Sequence, residues 1–93
     1  MALLFQWDDN KARTNETKHG ISFDEATTVF SDELSITILD PDHSAAEDRF
    51  VVLGHSHRRR LLVVIFTERG DNIRIISARR ATTTERKMYE DHR

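Results

Sequence analysis

The spacing of apolar positions changes twice along this chain. Leu3, Leu4, Phe5 and Trp7 open it with a mostly apolar run that reads as a short first strand over Leu3 to Trp7. Asp8 or Asp9 can then accept a free backbone N–H, which predicts a helix from there to His19. Gly20 stops it, since glycine accepts the left-handed conformation common just past a helix end. At helical spacing this segment shows Asp8, Lys11, Ala12, Asn15, Lys18 and His19. Such a face buries little apolar surface, so the helix needs another reason to dock. Ser22-Phe23-Asp24-Glu25 has the form of a capping box, with Ile21 and Ala26 placed as its hydrophobic staple. Phe23, Ala26, Thr27 and Phe30 fall at i, i+3, i+4 and i+7, giving a second helix one face for a core.

Beyond Phe30 the period becomes two. Ile36 and Ile38 alternate with polar residues, as in a half-buried strand. Asp40 to Asp48 is acidic and turn-rich, expected as a loop or short helix. Arg49 to Leu53 reads as a strand and Gly54 to Arg59 as a turn. Leu61 to Phe66 is apolar throughout, as in a central strand covered on both faces. Gly70-Asp71 fits a two-residue hairpin loop with glycine first, leading into a strand from Ile73 to Ser77. Thr82 and Glu85 then supply a capping box for a last, polar helix carrying Met88 and Tyr89. Helices followed by a run of strands predict a single α+β domain over residues 1–93: β-α-α, a four-strand antiparallel meander, and a C-terminal helix.

The hairpin also assigns faces. With Gly70 and Asp71 as the loop, Glu68 lies opposite Ile73, Phe66 opposite Ile75, and Leu62 opposite Arg79. One face then holds Leu62, Val64, Phe66, Ile73 and Ile75, suited to packing under helices. The other holds Leu61, Val63, Ile65, Thr67, Arg69, Arg74, Ile76, Ala78 and Arg80, and becomes basic toward its ends. Guanidinium forks bind phosphate oxygens bidentately, which makes that face a candidate groove for a phosphodiester backbone.

Charge sharpens this picture. The net charge is only −2. Residues 1–48, however, hold 3 Lys/Arg against 11 Asp/Glu, and residues 49–93 hold 11 against 5. Such asymmetry points to a polyanion-facing surface on one part of the molecule. The absence of cysteine removes disulfides, thiolate metal sites and cysteine nucleophiles, and fits a reducing compartment. The opening apolar run is short for a signal peptide and lacks a basic lead. Leu61 to Phe66 is far short of a membrane span. A soluble cytoplasmic protein is expected.

Three features invite chemistry. Arg79 and Arg80 are adjacent, so in an extended strand they point to opposite faces, and both reach one site only where the strand ends. Lys18 and His19 either face an anionic ligand or complement a helix C-terminus. His55 and His57 stand two apart, with His43 elsewhere. Without cysteine or a helical histidine pair, and with three arginines following, no metal site or other cofactor is expected there.

Many stretches in order resemble the BrnT toxin family: Phe5-Gln6-Trp7-Asp8 with Lys11 and Asn15, Lys18-His19-Gly20-Ile21-Ser22-Phe23-Asp24-Glu25-Ala26, Asp40-Pro41-Asp42-His43-Ser44, and Glu47 with Arg49-Phe50-Val51. Arg60-Leu61-Leu62-Val63-Val64, Thr67-Glu68-Arg69-Gly70-Asp71, Ile73 through Ala81, Glu85-Arg86 and Tyr89-Glu90 continue the likeness. The resemblance implies a RelE-like fold and metal-independent RNA cleavage. It also implies neutralisation by a BrnA-like antitoxin that carries the DNA-binding part, so DNA is met only indirectly. It places Arg79, Arg80 and Tyr89 among the functional residues, with His19 as first candidate for proton transfer, since its ordinary pKa lies near neutrality. Lys18, Arg69 and Arg74 would contact RNA. One departure stands out: the family commonly has glycine before the Arg-Leu-Leu strand, where this chain has Arg59. Two other readings compete, a non-catalytic antitoxin-binding or co-repressor module and, last, a metal-dependent nuclease.

Overall fold

The computed structural model describes residues 3–40 and 48–92. The elements are β1 (Leu4–Gln6), α1 (Asp9–His19), α2 (Phe23–Thr28) with a 3₁₀ turn (Val29–Ser31), β2 (Ile36–Leu39), β3 (Phe50–His55), β4 (Leu61–Arg69), β5 (Asn72–Arg80) and α3 (Thr83–Asp91). Apart from its two ends, the acidic segment between Asp40 and Asp48, with His43, lies outside the described residues.

Five strands form one sheet in the order β1-β5-β4-β3-β2. From β2 to β5 each strand pairs antiparallel with the next, while β1 joins the far edge parallel to β5. β4 is therefore central, which explains its unbroken apolar run. The fold is α+β, with a five-stranded sheet and three helices.

α1 and α2 lie on one face, over a core built from Ile21, Phe23, Ala26, Val29, Val52, Leu62, Val64, Phe66, Ile75 and Ala78. α3 lies on the other face, where Tyr89 packs with Leu53, Leu61 and Val63.

The caps form as local chemistry dictates. Asp8 accepts from the Lys11 N–H at 3.0 Å, and Gly20 ends α1 at φ 73°. Thr82 and Glu85 complete both halves of the box at α3. At α2 the box is half made. Ser22 accepts from the Glu25 N–H, but the Glu25 carboxylate turns to Ser56 and Arg60.

The hairpin register begins as expected, with Glu68 opposite Ile73 and Phe66 opposite Ile75. Between Ile65 and Phe66 it shifts by one, because Ile65 faces Ser77 and Ile76 is the extra residue of a β-bulge. A bulge reverses which face every later side chain occupies. Leu62 thus lies opposite Arg80 rather than Arg79, and Arg79 faces Val63. Ala78 and Arg80, expected beside Val63, belong instead to the α1–α2 face. Ala78 is fully buried there.

Candidate functional site

α1 docks through one polar side chain. Its buried Asn15 donates to the carbonyls of Ala78 (2.8 Å) and Ile21 (3.0 Å) and accepts from the Ala78 N–H (3.1 Å). Since β1 pairs with β5 only over Asn72 to Arg74, the later part of β5 has no strand on its outer side among the described residues. Asn15 there serves as a one-residue strand partner. Beside it runs an open groove of about 310 Å³ lined by Asn10, Lys11, Thr14, Lys18, His19, Ile76 and Ser77. Lys18 and His19 stand exposed at its C-terminal end, and nothing among the described residues fixes the imidazole of His19. Arg80, exposed and on the same side of the sheet, likewise has no side-chain partner among the described residues.

Arg79 and Tyr89 lie across the sheet from these. Arg79 binds Glu85 with both terminal nitrogens, each at 2.8 Å. That guanidinium holds the Glu85 carboxyl down to about 2 against the opposing effect of burial, with help from the Thr82 N–H. Tyr89 is buried, and its hydroxyl donates to Asp32 at 2.6 Å. Arg74 is opposite Thr67, and Arg69 ends β4 at the hairpin. The seven residues singled out by the sequence are therefore divided: Lys18, His19 and Arg80 on the α1–α2 face, and Arg69, Arg74, Arg79 and Tyr89 on the α3 face. The bulge at Ile76 puts Arg80 in the first group and Arg79 in the second, the reverse of what strict alternation gives.

A second polar assembly follows α2. Glu25, almost fully buried, accepts from Ser56 Oγ (2.7 Å) and from Nε and Nη2 of Arg60 (2.8 Å for Nε), with Arg58 3.9 Å away. The Arg60 hydrogen bond, against burial and with that of Ser56, keeps the Glu25 carboxyl below its ordinary range. Arg60 also reaches the carbonyl of Gly20. The β3–β4 turn is thereby tied along α2 to the end of α1.

At the far end of that turn, Gly54 sits where an added Cβ would lie 3.0 Å from Ser35 Cβ and Val29 Cγ1. This close approach lets Asp32 accept from the His55 N–H at 2.8 Å. Burial works to raise the Asp32 carboxyl, but hydrogen bonds from the His55 and Leu34 N–H groups and from Tyr89 outweigh it and lower it. The His55 ring packs edge-on against Tyr89, with centroids 5.0 Å apart, and its Nδ1 is 3.9 Å from Asp32 Oδ2. His57 Nδ1 meets Thr28 Oγ1 at 3.2 Å. His55 and His57 line one open groove of about 450 Å³ with Thr28, Ser31, Asp32 and Ser56. In the sequence these histidines stand out only as candidate metal ligands. Among the described residues no group of three or more His, Asp or Glu is placed to hold a metal ion. Asp32 was not singled out, because its partners are 23 and 57 positions away.

The family described as "Ribonuclease toxin, BrnT, of type II toxin-antitoxin system" matches residues 7–85, a span that contains every candidate site residue named above except Tyr89. Among solved structures, a crystal structure of the Brucella abortus ribonuclease toxin, BrnT, is similar with a TM-score of 0.64 and 26% sequence identity. It covers 88% of this chain and 100% of that one. No curated protein gives a match.

Proposed function

The chain belongs to the BrnT family of ribonuclease toxins of type II toxin–antitoxin systems, and from that premise we propose that it cleaves RNA by metal-independent transesterification, thereby inhibiting translation. In this reaction the RNA 2′-hydroxyl attacks the neighbouring phosphodiester and leaves a 2′,3′-cyclic phosphate and a 5′-hydroxyl. Negative charge gathers on the phosphoryl oxygens in the transition state, so preorganised cations and proton carriers are the groups needed. We assign RNA backbone contact to Lys18, His19 and Arg80. The observation that carries this assignment is their common exposure on one side of the sheet, with Lys18 and His19 lining an open groove. Arg80, whose side chain has no partner among the described residues, is the assigned clamp on the RNA backbone. Arg69 and Arg74, across the sheet, are assigned to outlying RNA contacts. Arg79 and Tyr89, both engaged by carboxylates, are assigned to holding α3 in place. The arrangement of the fold is proposed to be RelE-like. The partner is proposed to be a BrnA-like antitoxin through which DNA is met, and the compartment to be the cytoplasm. No helix among the described residues is long and apolar enough to cross a membrane.

Arg80→Ala is expected to slow RNA cleavage about 100-fold, the scale for losing one preorganised charge donor, while circular dichroism stays native. Full activity in that variant would place the clamp elsewhere. The internal engagement of Arg79 and Tyr89 also favours a second reading, a non-catalytic antitoxin-binding or co-repressor module. It predicts antitoxin binding without cleavage under any condition.

A further inference from the structure

We propose that His55 and His57 form the proton-transfer pair of the RNA cleavage reaction, in the groove between α2 and the β3–β4 turn, with Asp32 and Tyr89 as positioning residues. The inference rests on the RNA-cleavage reading and deepens it by naming the acid and the base. Among the described residues His19 has no group to orient its ring, whereas His55 and His57 are held.

Thr28 decides the tautomer of His57. Its single hydroxyl proton goes to the Glu25 carbonyl at 2.6 Å, so its oxygen accepts from the His57 N–H at 2.9 Å and from Nδ1 at 3.2 Å. Nδ1 therefore carries the proton of the neutral ring, and Nε2 keeps a lone pair. A neutral imidazole with its free nitrogen presented is a general base. His55 is held differently. The Asp32 carboxylate, fixed by Tyr89 and two backbone N–H groups, stands 3.9 Å from its Nδ1, and the Tyr89 ring supports it edge-on. A carboxylate in that place supplies the counter-charge for an imidazolium, the form that acts as general acid. The titratable and charged groups around the pair are Asp32 from the end of the 3₁₀ turn, Tyr89 from α3, Glu25 from α2, and Arg58 and Arg60 from the β3–β4 turn. The arginines of this cluster give a negatively charged backbone a reason to lie here.

The balance is complete. His57 takes the 2′-hydroxyl proton as the 2′-oxygen bonds to phosphorus. The P–O5′ bond breaks, and His55 donates its proton to the departing 5′-oxygen. The pair ends with its protons exchanged, and water restores both rings.

The test is the pH dependence of cleavage of a short RNA by wild type, His55→Gln, His57→Gln, Tyr89→Phe and His19→Gln, each checked for native circular dichroism. Wild type should give a bell-shaped profile. His55→Gln and His57→Gln should each lower kcat roughly 100-fold or more with little change in KM, and each should abolish a different limb. Tyr89→Phe should move the alkaline limb, a change that a purely structural role would not produce. His19→Gln should raise KM and keep both limbs. Cleavage by wild type with both limbs intact in His55→Gln and His57→Gln would overturn this inference and leave the RNA-cleavage reading standing. No cleavage by wild type would overturn both.

Discussion

Arg59 is the one residue other than glycine that adopts a positive φ among the described residues, at 62°. A side chain in the left-handed region costs about 1–2 kcal/mol because its Cβ crowds the following carbonyl. This is the position where the family commonly carries glycine, so the turn keeps its left-handed geometry and Arg59 bears the strain. Arg59→Gly is expected to stabilise the fold by about 0.5–1 kcal/mol, less than the whole strain because glycine gains freedom in the unfolded chain. A rise in the urea unfolding midpoint would show it. Asn15 presents the opposite case. It satisfies two carbonyls and one N–H in the interior, so Asn15→Ala leaves them buried without partners. A loss of about 2–3 kcal/mol in urea unfolding is expected, and a loss under 0.5 kcal/mol would show that α1 docks by other contacts. The sequence marked α1 as a helix in need of a docking device. It could not name Asn15 as that device, because Ala78 is 63 positions away.

At the scale of elements, the contacts that hold α3 include the Arg79–Glu85 ion pair, the Tyr89–Asp32 hydrogen bond and the packing of the Tyr89 ring against the sheet. The Glu85 carboxyl titrates near 2 in the fold, against an ordinary 4.5. Its contribution is therefore fully present above about pH 4.5 and is lost as pH falls through the folded value. With both partners partly exposed to solvent, about 1–2 kcal/mol is expected. Glu85→Gln should differ from wild type by that amount at pH 6 and converge with it near pH 2 in thermal or urea unfolding. A gap unchanged across that range would assign the pair no electrostatic role. Element order, both complete helix starts, the central strand and the Gly70-Asp71 hairpin were legible because each depends on neighbours a few positions away. The parallel pairing of β1 with β5 and the bulge at Ile76 were not. Each depends on contacts between distant strands, and a bulge leaves no mark in an alternating apolar pattern. That single residue redistributed the arginines between the faces.

Across the whole molecule, the acidic first half and basic second half do not divide into two bodies. The strand-rich second half supplies the arginines and histidines, and α2 from the first half supplies the carboxylate that orders Arg60 and Ser56. Arg60 and Arg58 thus lie between the end of α1 and the β3–β4 turn, ordered by an acidic residue, which a count of charges by halves could suggest only as a polyanion surface. Backbone contacts of this kind are salt-dependent, as expected for a nucleic-acid surface. The most direct test of the central claim is incubation of the purified protein with RNA in excess EDTA, followed by analysis of the product ends. Cleavage undiminished by EDTA is expected, with 2′,3′-cyclic phosphate and 5′-hydroxyl termini. Cleavage abolished by EDTA and restored by a divalent metal, or products bearing 5′-phosphates, would contradict it.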